Sequence, residues 1–329
     1  MLKDKKWIFI GVSVGLLGMV VIIIWANLNI KDVCIEEEIS IQALFCPSDN
    51  CSLVVSELFS SAKEIRCAFY DLDEEIWEQF IMGRDGNMDK AMIVMEDSNC
   101  LKHEAISCEY SCNQMHNKFC VFDNEVVLTG SLNPTLNGFF KNNNNIIIVN
   151  SSCVAREYLK EYRELEKGVF SGGKKGNYNV VRIGDKDMAE FYFCPEDDCR
   201  MRILELLQRA EKEVCFSLFA LTDDEVSDEL VNLRKRGIWV YGTIEDRNRN
   251  LLGSDYEMLS EIIDIRRDGN NHSMHHKFFV VDNKTVITGS ANPSENGFEN
   301  NDENIIIIHN SQLAESYNKE CRIIFSKGI

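Results

Sequence analysis

The sequence predicts an α/β fold made of two tandem repeats, each a mixed sheet flanked by helices. The pattern H-x-K-x₄-D-x₆-G-S-x-N occurs once from His116 and again from His275. The flanks repeat as well, since residues 43–51 resemble 191–199 and residues 145–148 resemble 304–307. Short apolar runs also alternate with amphipathic segments, which is typical of an α/β sheet. Duplication at this scale indicates two copies of one structural unit.

The two halves follow the same order of elements. We assign the first repeat to residues 39–168 and the second to residues 180–329, with a glycine-rich linker at 169–179. Apolar runs and flanking turn residues predict strands at 41–45, 65–70, 91–95, 188–193, 214–221 and 239–244, and helices at 51–62, 74–82, 199–210 and 224–236.

Each copy of the motif is predicted to form a β-hairpin. β-rich runs at 118–122 and 126–129 are separated by three turn-forming residues, and runs at 277–281 and 286–288 repeat this arrangement. Because alternate side chains of a strand face opposite sides, the histidine and lysine of H-x-K project from one face. Gly130 and Gly289 follow these hairpins at positions where we expect a close backbone approach.

This duplicated motif resembles the signature of the phospholipase D superfamily, and the likeness covers roughly residues 40 to 326. The resemblance implies two phospholipase D-like repeats that meet across a pseudo-twofold axis. It also implies phosphodiester chemistry through a transient phosphohistidine, without a cofactor or a metal. His116 is expected to be the nucleophile and His275 the acid–base group, although the sequence alone leaves their order open.

The remaining motif residues suit an anionic phosphate. Lysines supply positive charge around phosphoryl oxygens, and amide and hydroxyl groups supply fixed hydrogen bonds. The predicted catalytic residues are His116, Lys118, Asp123, His275, Lys277 and Asp282, and the predicted phosphate-binding residues are Ser131, Asn133, Ser290 and Asn292.

Several residues near the motif allow more than one interpretation. Asp123 and Asp282 either orient a histidine or stabilise a hairpin turn. Glu303 occupies a position where the family often carries a supporting carboxylate, whereas the first repeat has Asn144. His272 and His276 fall outside the motif and are interpreted as peripheral.

The N-terminal segment predicts a membrane anchor. Residues 7–30 carry no charge, and 24 helical residues span about 36 Å, enough for a bilayer core. Lysines precede this segment and glutamates follow it, which predicts a single-pass protein with a cytoplasmic N-terminus and the catalytic part outside. A cleaved signal peptide is the alternative.

All 13 cysteines lie beyond that segment, and an exported location would favour disulfides. The matching pairs Cys46/Cys51 and Cys194/Cys199 are predicted to form one local disulfide in each repeat. Cys67, Cys120 and Cys215 lie in apolar runs and are expected to be buried thiols. A zinc cluster of Cys100, His103, Cys108 and Cys112 is considered and disfavoured, because the spacing lacks a tight C-x₂-C knuckle.

The net charge of −18 is unfavourable for sequence-independent binding of nucleic acid, although a local basic groove would allow it. The first prediction for the substrate is therefore a phospholipid, with hydrolysis or transfer of its phosphatidyl group. A metal-independent endonuclease acting on nucleic acid is the second, and a non-catalytic binding protein is a distant third. The oligomeric state is left open.

Overall fold

A computed structural model describes residues 33–35, 39–82, 90–110, 112–176, 179–183 and 187–329. The first repeat contains a seven-stranded sheet with four helical segments against it. Its strands are β2 (Ser40–Cys46), β3 (Glu64–Phe69), β4 (Lys90–Glu96), β5 (Ile106–Glu109), β6 (Lys118–Phe122), β7 (Val126–Gly130) and β8 (Asn144–Asn150). Its helices are α1 (Cys51–Ser61), α2 (Glu74–Ile76, continued by a π-helical turn over Trp77–Met82), α3 (Leu136–Phe140) and α4 (Ser152–Glu166).

The second repeat follows the same plan. Its strands are β9 (Val180–Ile183), β10 (Asp187–Cys194), β11 (Glu213–Leu218), β12 (Trp239–Ile244), β13 (Asp264–Arg267), β14 (Lys277–Val281), β15 (Thr285–Gly289) and β16 (Glu303–His309). Its helices are α5 (Cys199–Gln208), α6 (Asp224–Lys235), α7 (Tyr256–Ser260) and α8 (Ser311–Lys327), with a π-helical turn over Asn296–Asn300.

Strand order confirms the predicted duplication. The first sheet has the order β2-β8-β7-β6-β3-β4-β5, and the second contains the equivalent run β10-β16-β15-β14-β11-β12-β13. A strand β1 (Val33–Ile35) pairs with β9 and extends the second sheet to nine strands. In the seven-stranded run that both sheets share, three parallel strands adjoin four antiparallel ones, so the sheets are mixed.

Each motif lies on a hairpin at the centre of its sheet, as predicted. Asp123 and Asn124 turn the first hairpin with positive φ angles, and Asp282 and Asn283 turn the second. The close approach predicted at Gly130 and Gly289 is also confirmed. Both have positive φ, and a Cβ at either position would collide with the carbonyl oxygen of Asn145 or Asn304.

The two repeats contact each other reciprocally through the backbone N–H groups of the two motif histidines. The His116 backbone N–H donates to the Asp302 carbonyl over 2.9 Å, and that of His275 donates to the Asn143 carbonyl over 2.8 Å. One apolar core includes residues of both repeats, such as Tyr158 and Phe278. This shared core and the paired backbone contacts bring the two motifs to one junction.

Disulfides link elements in both repeats. The predicted Cys46–Cys51 and Cys194–Cys199 bonds are confirmed. The expectation of buried thiols is wrong, because Cys67 of β3 bonds to Cys120 of β6 and Cys215 of β11 bonds to Cys321 of α8. These residues are buried as expected, but each faces a cysteine that is distant in the sequence.

A disulfide also joins two of the four residues considered as a zinc cluster. Cys100 bonds to Cys108, which removes two of the three thiolates that the cluster would need. Cys112 is exposed and is a free thiol.

The predicted single-pass membrane topology is corrected. In the part of the chain that the structure describes, no helix combines the length and the apolar character that a bilayer crossing requires. Helix α8 has 17 residues, which is about 26 Å of helix, and it carries several charged side chains. The proposed span at residues 7–30 lies outside the described residues.

Candidate active site

The two H-x-K segments meet at the junction of the repeats. His116 lies two residues before the start of β6 and is 8% exposed, while His275 lies two residues before the start of β14 and remains partly accessible. Lys118 and Lys277, the first residues of these strands, are both buried. Each lysine acts electrostatically on both histidines, so four basic side chains form one cluster. The prediction that both motifs build one site is in accord with this geometry.

Glu303 of the second repeat orients His116 of the first. Its Oε1 lies 2.6 Å from His116 Nδ1, and the carboxylate is fully buried at the start of β16. A carboxylate partner holds the proton on Nδ1, so Nε2 keeps a lone pair. Glu303 therefore supports the histidine of the other repeat, and not that of its own.

Asn144 takes the equivalent place beside His275. His275 Nδ1 lies 3.0 Å from Asn144 Oδ1 and 3.0 Å from the Ser131 carbonyl oxygen. Both partners are acceptors, so Nδ1 of this ring also carries the proton. The difference between Glu303 and Asn144 makes the two histidines chemically unequal, because of their two Nδ1 atoms only that of His116 has an ionisable partner.

Aromatic rings and lysines complete the surroundings of the histidines. The Tyr70 ring packs edge-on against His116, and Phe219 does the same to His275, with centroids 4.7 Å apart in each pair. Lys118 Nζ donates to the His116 carbonyl over 2.6 Å. Lys277 Nζ lies 3.0 Å from the His275 carbonyl and 3.1 Å from His275 Nε2.

The basic cluster shifts the pKa values of its members. Burial, followed by the nearby lysines, lowers the pKa of His116 and of His275 well below 6.5. Burial lowers the pKa of Lys118 to about 7, and burial together with Lys118 lowers that of Lys277. Burial raises the pKa of Glu303 to about 8, an effect that Lys118 opposes. An anion bound among the histidines and lysines would favour their protonated, positively charged forms, so the cluster is suited to phosphate.

The serines predicted to bind phosphate are engaged within the protein. Ser131 Oγ donates to Asn144 Oδ1 and accepts from the Asn145 backbone N–H, both over 3.0 Å. Ser290 Oγ accepts from the Asn304 backbone N–H over 2.9 Å. Both serine hydroxyls are therefore used in hydrogen bonds within the protein, and they support the residues around the histidines.

Asn133 and Asn292 keep the equivalent positions that the motif predicts. The Oδ1 atom of each is buried without a hydrogen-bond partner in the described part of the chain. Asn133 also lines a cleft with His275, which places it where a substrate would lie.

Asp123 and Asp282 lie at the far ends of their strands, away from the histidines. Asp123 Oδ1 accepts from the backbone N–H groups of Lys63 and Glu64, each over 2.8 Å. Asp282 accepts from three successive backbone N–H groups, those of Glu211, Lys212 and Glu213. Five residues of extended strand, about 17 Å, separate Asp123 from Lys118. The structure therefore supports the hairpin-turn interpretation and does not bring these aspartates to the site.

The residue between histidine and lysine of each motif is buried and contacts the other repeat. His276 is fully buried, and its Nδ1 lies 3.1 Å from Asn145 Oδ1 of the first repeat, so its interpretation as peripheral is corrected. In the first motif, Asn117 Oδ1 accepts from Asn304 Nδ2 over 2.8 Å. Strand alternation was the available signal, because it places the middle residue of H-x-K on the opposite face of the sheet from the histidine and the lysine. His272 is exposed, as expected.

A cleft of about 250 Å³ opens beside His275. It is lined by Asp71, Asp73, Asn133, Thr135, Asn137, Gly138, Asn142, Asn144, Phe219, Ser273 and His275. The cleft gives a substrate access to this histidine.

The described residues offer one group of carboxylates close enough to hold a metal ion. Glu161, Glu164 and Glu196 place oxygen atoms within 4.8 Å of one another. They lie on α4 and after β10, and not among the histidines and lysines of the site.

A family model described as cardiolipin synthase, PLD-like domain, matches residues 57–165 and 203–324, which include both motifs. The chain belongs to this phospholipase D-like family. It is thus a phospholipase D-like enzyme, that is, a phosphodiesterase built from two repeats.

Individual relatives agree with the family. The phospholipase D of Rickettsia typhi is 32% identical over 142 residues, which cover 43% of this chain and 69% of that protein. A mitochondrial cardiolipin hydrolase of Mus musculus is 30% identical over 127 residues, or 38% of this chain and 58% of that protein. The structure of phosphatidylserine synthase from Haemophilus influenzae superposes with a TM-score of 0.70 at 14% identity, covering 88% of this chain and 87% of that one. The last comparison shows a shared fold across both repeats.

Proposed function

We propose that this enzyme hydrolyses or transfers the phosphatidyl group of phospholipids through a phosphohistidine intermediate on His116. The observation that carries the proposal is the pairing of His116 Nδ1 with Glu303 Oε1 at 2.6 Å. It leaves Nε2 as the nucleophilic atom, and it places a carboxylate where positive charge develops as the ring attacks. His275 has only neutral acceptors and is therefore assigned the acid–base role.

The proposed reaction has two steps. In the first, His116 Nε2 forms a bond to phosphorus while the bond from phosphorus to the headgroup oxygen breaks, and protonated His275 donates its proton to the departing alcohol. In the second, His275 takes a proton from water or an acceptor alcohol, whose oxygen displaces His116 from phosphorus. Water yields phosphatidic acid, and an alcohol yields a new phospholipid.

The lysines and amides bind the phosphoryl oxygens in this scheme. Lys118 and Lys277 supply positive charge, and the Nδ2 groups of Asn133 and Asn292 supply hydrogen-bond donors from equivalent positions of the two motifs. The reciprocal contacts at Asp302 and Asn143 support a pseudo-twofold axis through this site. The scheme needs no cofactor and no metal, because basic side chains provide the required charge.

The test is headgroup release from phospholipid vesicles by the full-length protein in the presence of EDTA, with single-stranded DNA and RNA as competing substrates. We expect headgroup release with intact nucleic acid. Cleaved nucleic acid with intact lipid would overturn the lipid substrate and favour an endonuclease.

Two variants test the shared site in the same assay. We expect His116→Ala and His275→Ala each to lower kcat by about 10³-fold or more, because each removes one group of a single mechanism. His272→Ala, an exposed histidine three residues from His275, is the matched control. Full activity of either site variant would contradict the mechanism.

A further inference from the structure

We propose that the cleft beside His275 is a headgroup subsite that selects a primary ammonium group, and that Asp71 is its specificity-determining residue. This inference rests on the proposed phospholipid substrate. It goes further by naming the class of headgroup and the side chain that recognises it.

The chemistry of the cleft wall favours a ligand that donates hydrogen bonds. Its eleven lining residues include two aspartates and four asparagines, and none of these described residues is a lysine or an arginine. Carboxylate and amide oxygens accept hydrogen bonds. A polyanion such as a nucleic acid strand would meet two carboxylates here and no compensating charge on the wall.

The two carboxylates belong to only one side of the site. The backbone N–H of Asp73 donates to Pro134, and that of Thr222 donates to Pro293, so these two positions are equivalent in the two repeats. Counting back from them, Asp71 is equivalent to Ala220. The second repeat therefore has no carboxylate at either of these two equivalent positions. This asymmetry cannot serve the chemistry that the repeats share.

The carboxylates lie on the side where the headgroup would leave. The cleft contains His275, which is assigned to protonate the departing alcohol, and His116 is not among its lining residues. A nucleophile and a leaving group occupy opposite sides of phosphorus in an in-line displacement. The group recognised in this cleft is therefore the headgroup, while the diacylglycerol part extends elsewhere.

Asp71 is better placed for recognition than Asp73. The Asp73 carboxylate holds the fold, since its Oδ2 accepts from the Leu136 backbone N–H over 2.6 Å. Asp71 is partly exposed and acts electrostatically on Lys118, so it lies beside the phosphate-binding cluster. Burial and the neighbouring Asp73 raise the pKa of Asp71, and a bound cation would relieve both effects.

The residues that line the cleft also favour a primary over a quaternary ammonium group. Quaternary ammonium groups such as choline are typically held by cages of aromatic rings. Apart from the imidazole of His275, the described wall of this cleft has one aromatic ring, Phe219, and Lys277 Nζ already lies 4.9 Å from its centroid. A primary ammonium, which donates three hydrogen bonds, matches the aspartate and asparagine oxygens better. An ethanolamine-type headgroup is the expected ligand.

The experiment compares kcat/KM of the full-length enzyme for phosphatidylethanolamine, phosphatidylcholine and phosphatidylglycerol in otherwise identical vesicles. We expect the wild type to prefer phosphatidylethanolamine over both others. In Asp71→Asn, the ratio of ethanolamine to glycerol lipid cleavage should fall about tenfold, since a charge-assisted hydrogen bond is lost. Asp228→Asn, an exposed position on α6, should keep the wild-type ratio.

Each outcome separates this inference from the proposed function. A wild type that cleaves all three lipids equally, or a variant that loses activity on all three by the same factor, overturns the subsite and leaves the lipid substrate intact. Cleavage of none of the lipids overturns the proposed function itself. Competition by free ethanolamine, but not by free choline, in the wild type provides support that does not depend on the stability of the variant.

Discussion

His116 and Glu303 lie 187 residues apart in the chain, yet their side chains meet at 2.6 Å across the junction of the repeats. The equivalent partner of His275 is the neutral Asn144, at 3.0 Å. One carboxylate therefore distinguishes two histidines that share the same local sequence. Several measurable consequences follow from this arrangement and from its surroundings.

Neutralising Glu303 should impair catalysis without unfolding the protein. Glu303→Gln keeps the size of the side chain but removes the charge that stabilises an imidazolium at His116. We expect kcat for a soluble phosphodiester to fall by roughly 10- to 100-fold, as is common for groups that orient a catalytic ligand or base. Glu295→Gln, at an exposed position nearby, is the control and should retain wild-type kcat. Unchanged activity of Glu303→Gln would argue against His116 as the nucleophile.

Asp282 should matter for stability and not for chemistry. Its carboxylate accepts hydrogen bonds from three successive backbone N–H groups, the last of which belongs to the first residue of β11. Asp282→Ala should lower the free energy of unfolding by roughly 1–3 kcal/mol, because it leaves these donors without their partner. Denaturant unfolding measures this loss, and kcat below the transition should stay near the wild-type value. A large loss of kcat in a variant of normal stability would restore a catalytic role for this aspartate.

The rate should depend on pH in a direction set by the lowered pKa values. The mechanism requires one neutral and one protonated histidine, and burial with the nearby lysines lowers the pKa of both histidines well below 6.5. At neutral pH the protonated form of His275 is therefore scarce. Lys118, with a pKa of about 7, also gains its charge as the pH falls. The carboxylate of Glu303, whose pKa is raised to about 8, is ionised above that pH, so a further rise in pH only removes protons from His275 and Lys118. We therefore expect kcat/KM for a soluble phosphodiester to fall as the pH rises above 8. A kcat/KM that rises steadily above pH 8 would contradict this assignment.

The Cys67–Cys120 disulfide should stabilise the first sheet. It joins β3 to β6 and closes a separation of 53 residues. Replacing both cysteines by alanine should lower the free energy of unfolding by about 2–4 kcal/mol, chiefly because the unfolded chain is then less restricted. Cys112→Ser, which changes an exposed free thiol, is expected to leave stability unchanged. Equal stability of the double variant and the wild type would mean that this bond is absent in solution.

Much of the architecture could be predicted from the sequence, because its determinants are local. The alternation of apolar residues predicted the strands and helices, and the repeated H-x-K-x₄-D hairpin predicted two copies of one unit. The spacing of histidine and lysine placed both on one face of a strand. Gly130 and Gly289 predicted a close approach of the backbone. The structure shows the reason, because a Cβ at either position would collide with a carbonyl oxygen of the neighbouring strand.

Only the tertiary structure decided which residues of different repeats meet. Local spacing carries no information on how one repeat docks against the other, so Glu303 could not be assigned to His116, nor His276 to Asn145. For the same reason the Cys67–Cys120 and Cys215–Cys321 pairs appeared as separate buried thiols. The fold also decided which aspartates lie near the histidines, and membership of the motif did not predict it. The motif aspartates lie at strand ends that the fold turns away from the histidines, whereas packing places Asp71, which lies outside the motif, in the cleft beside His275.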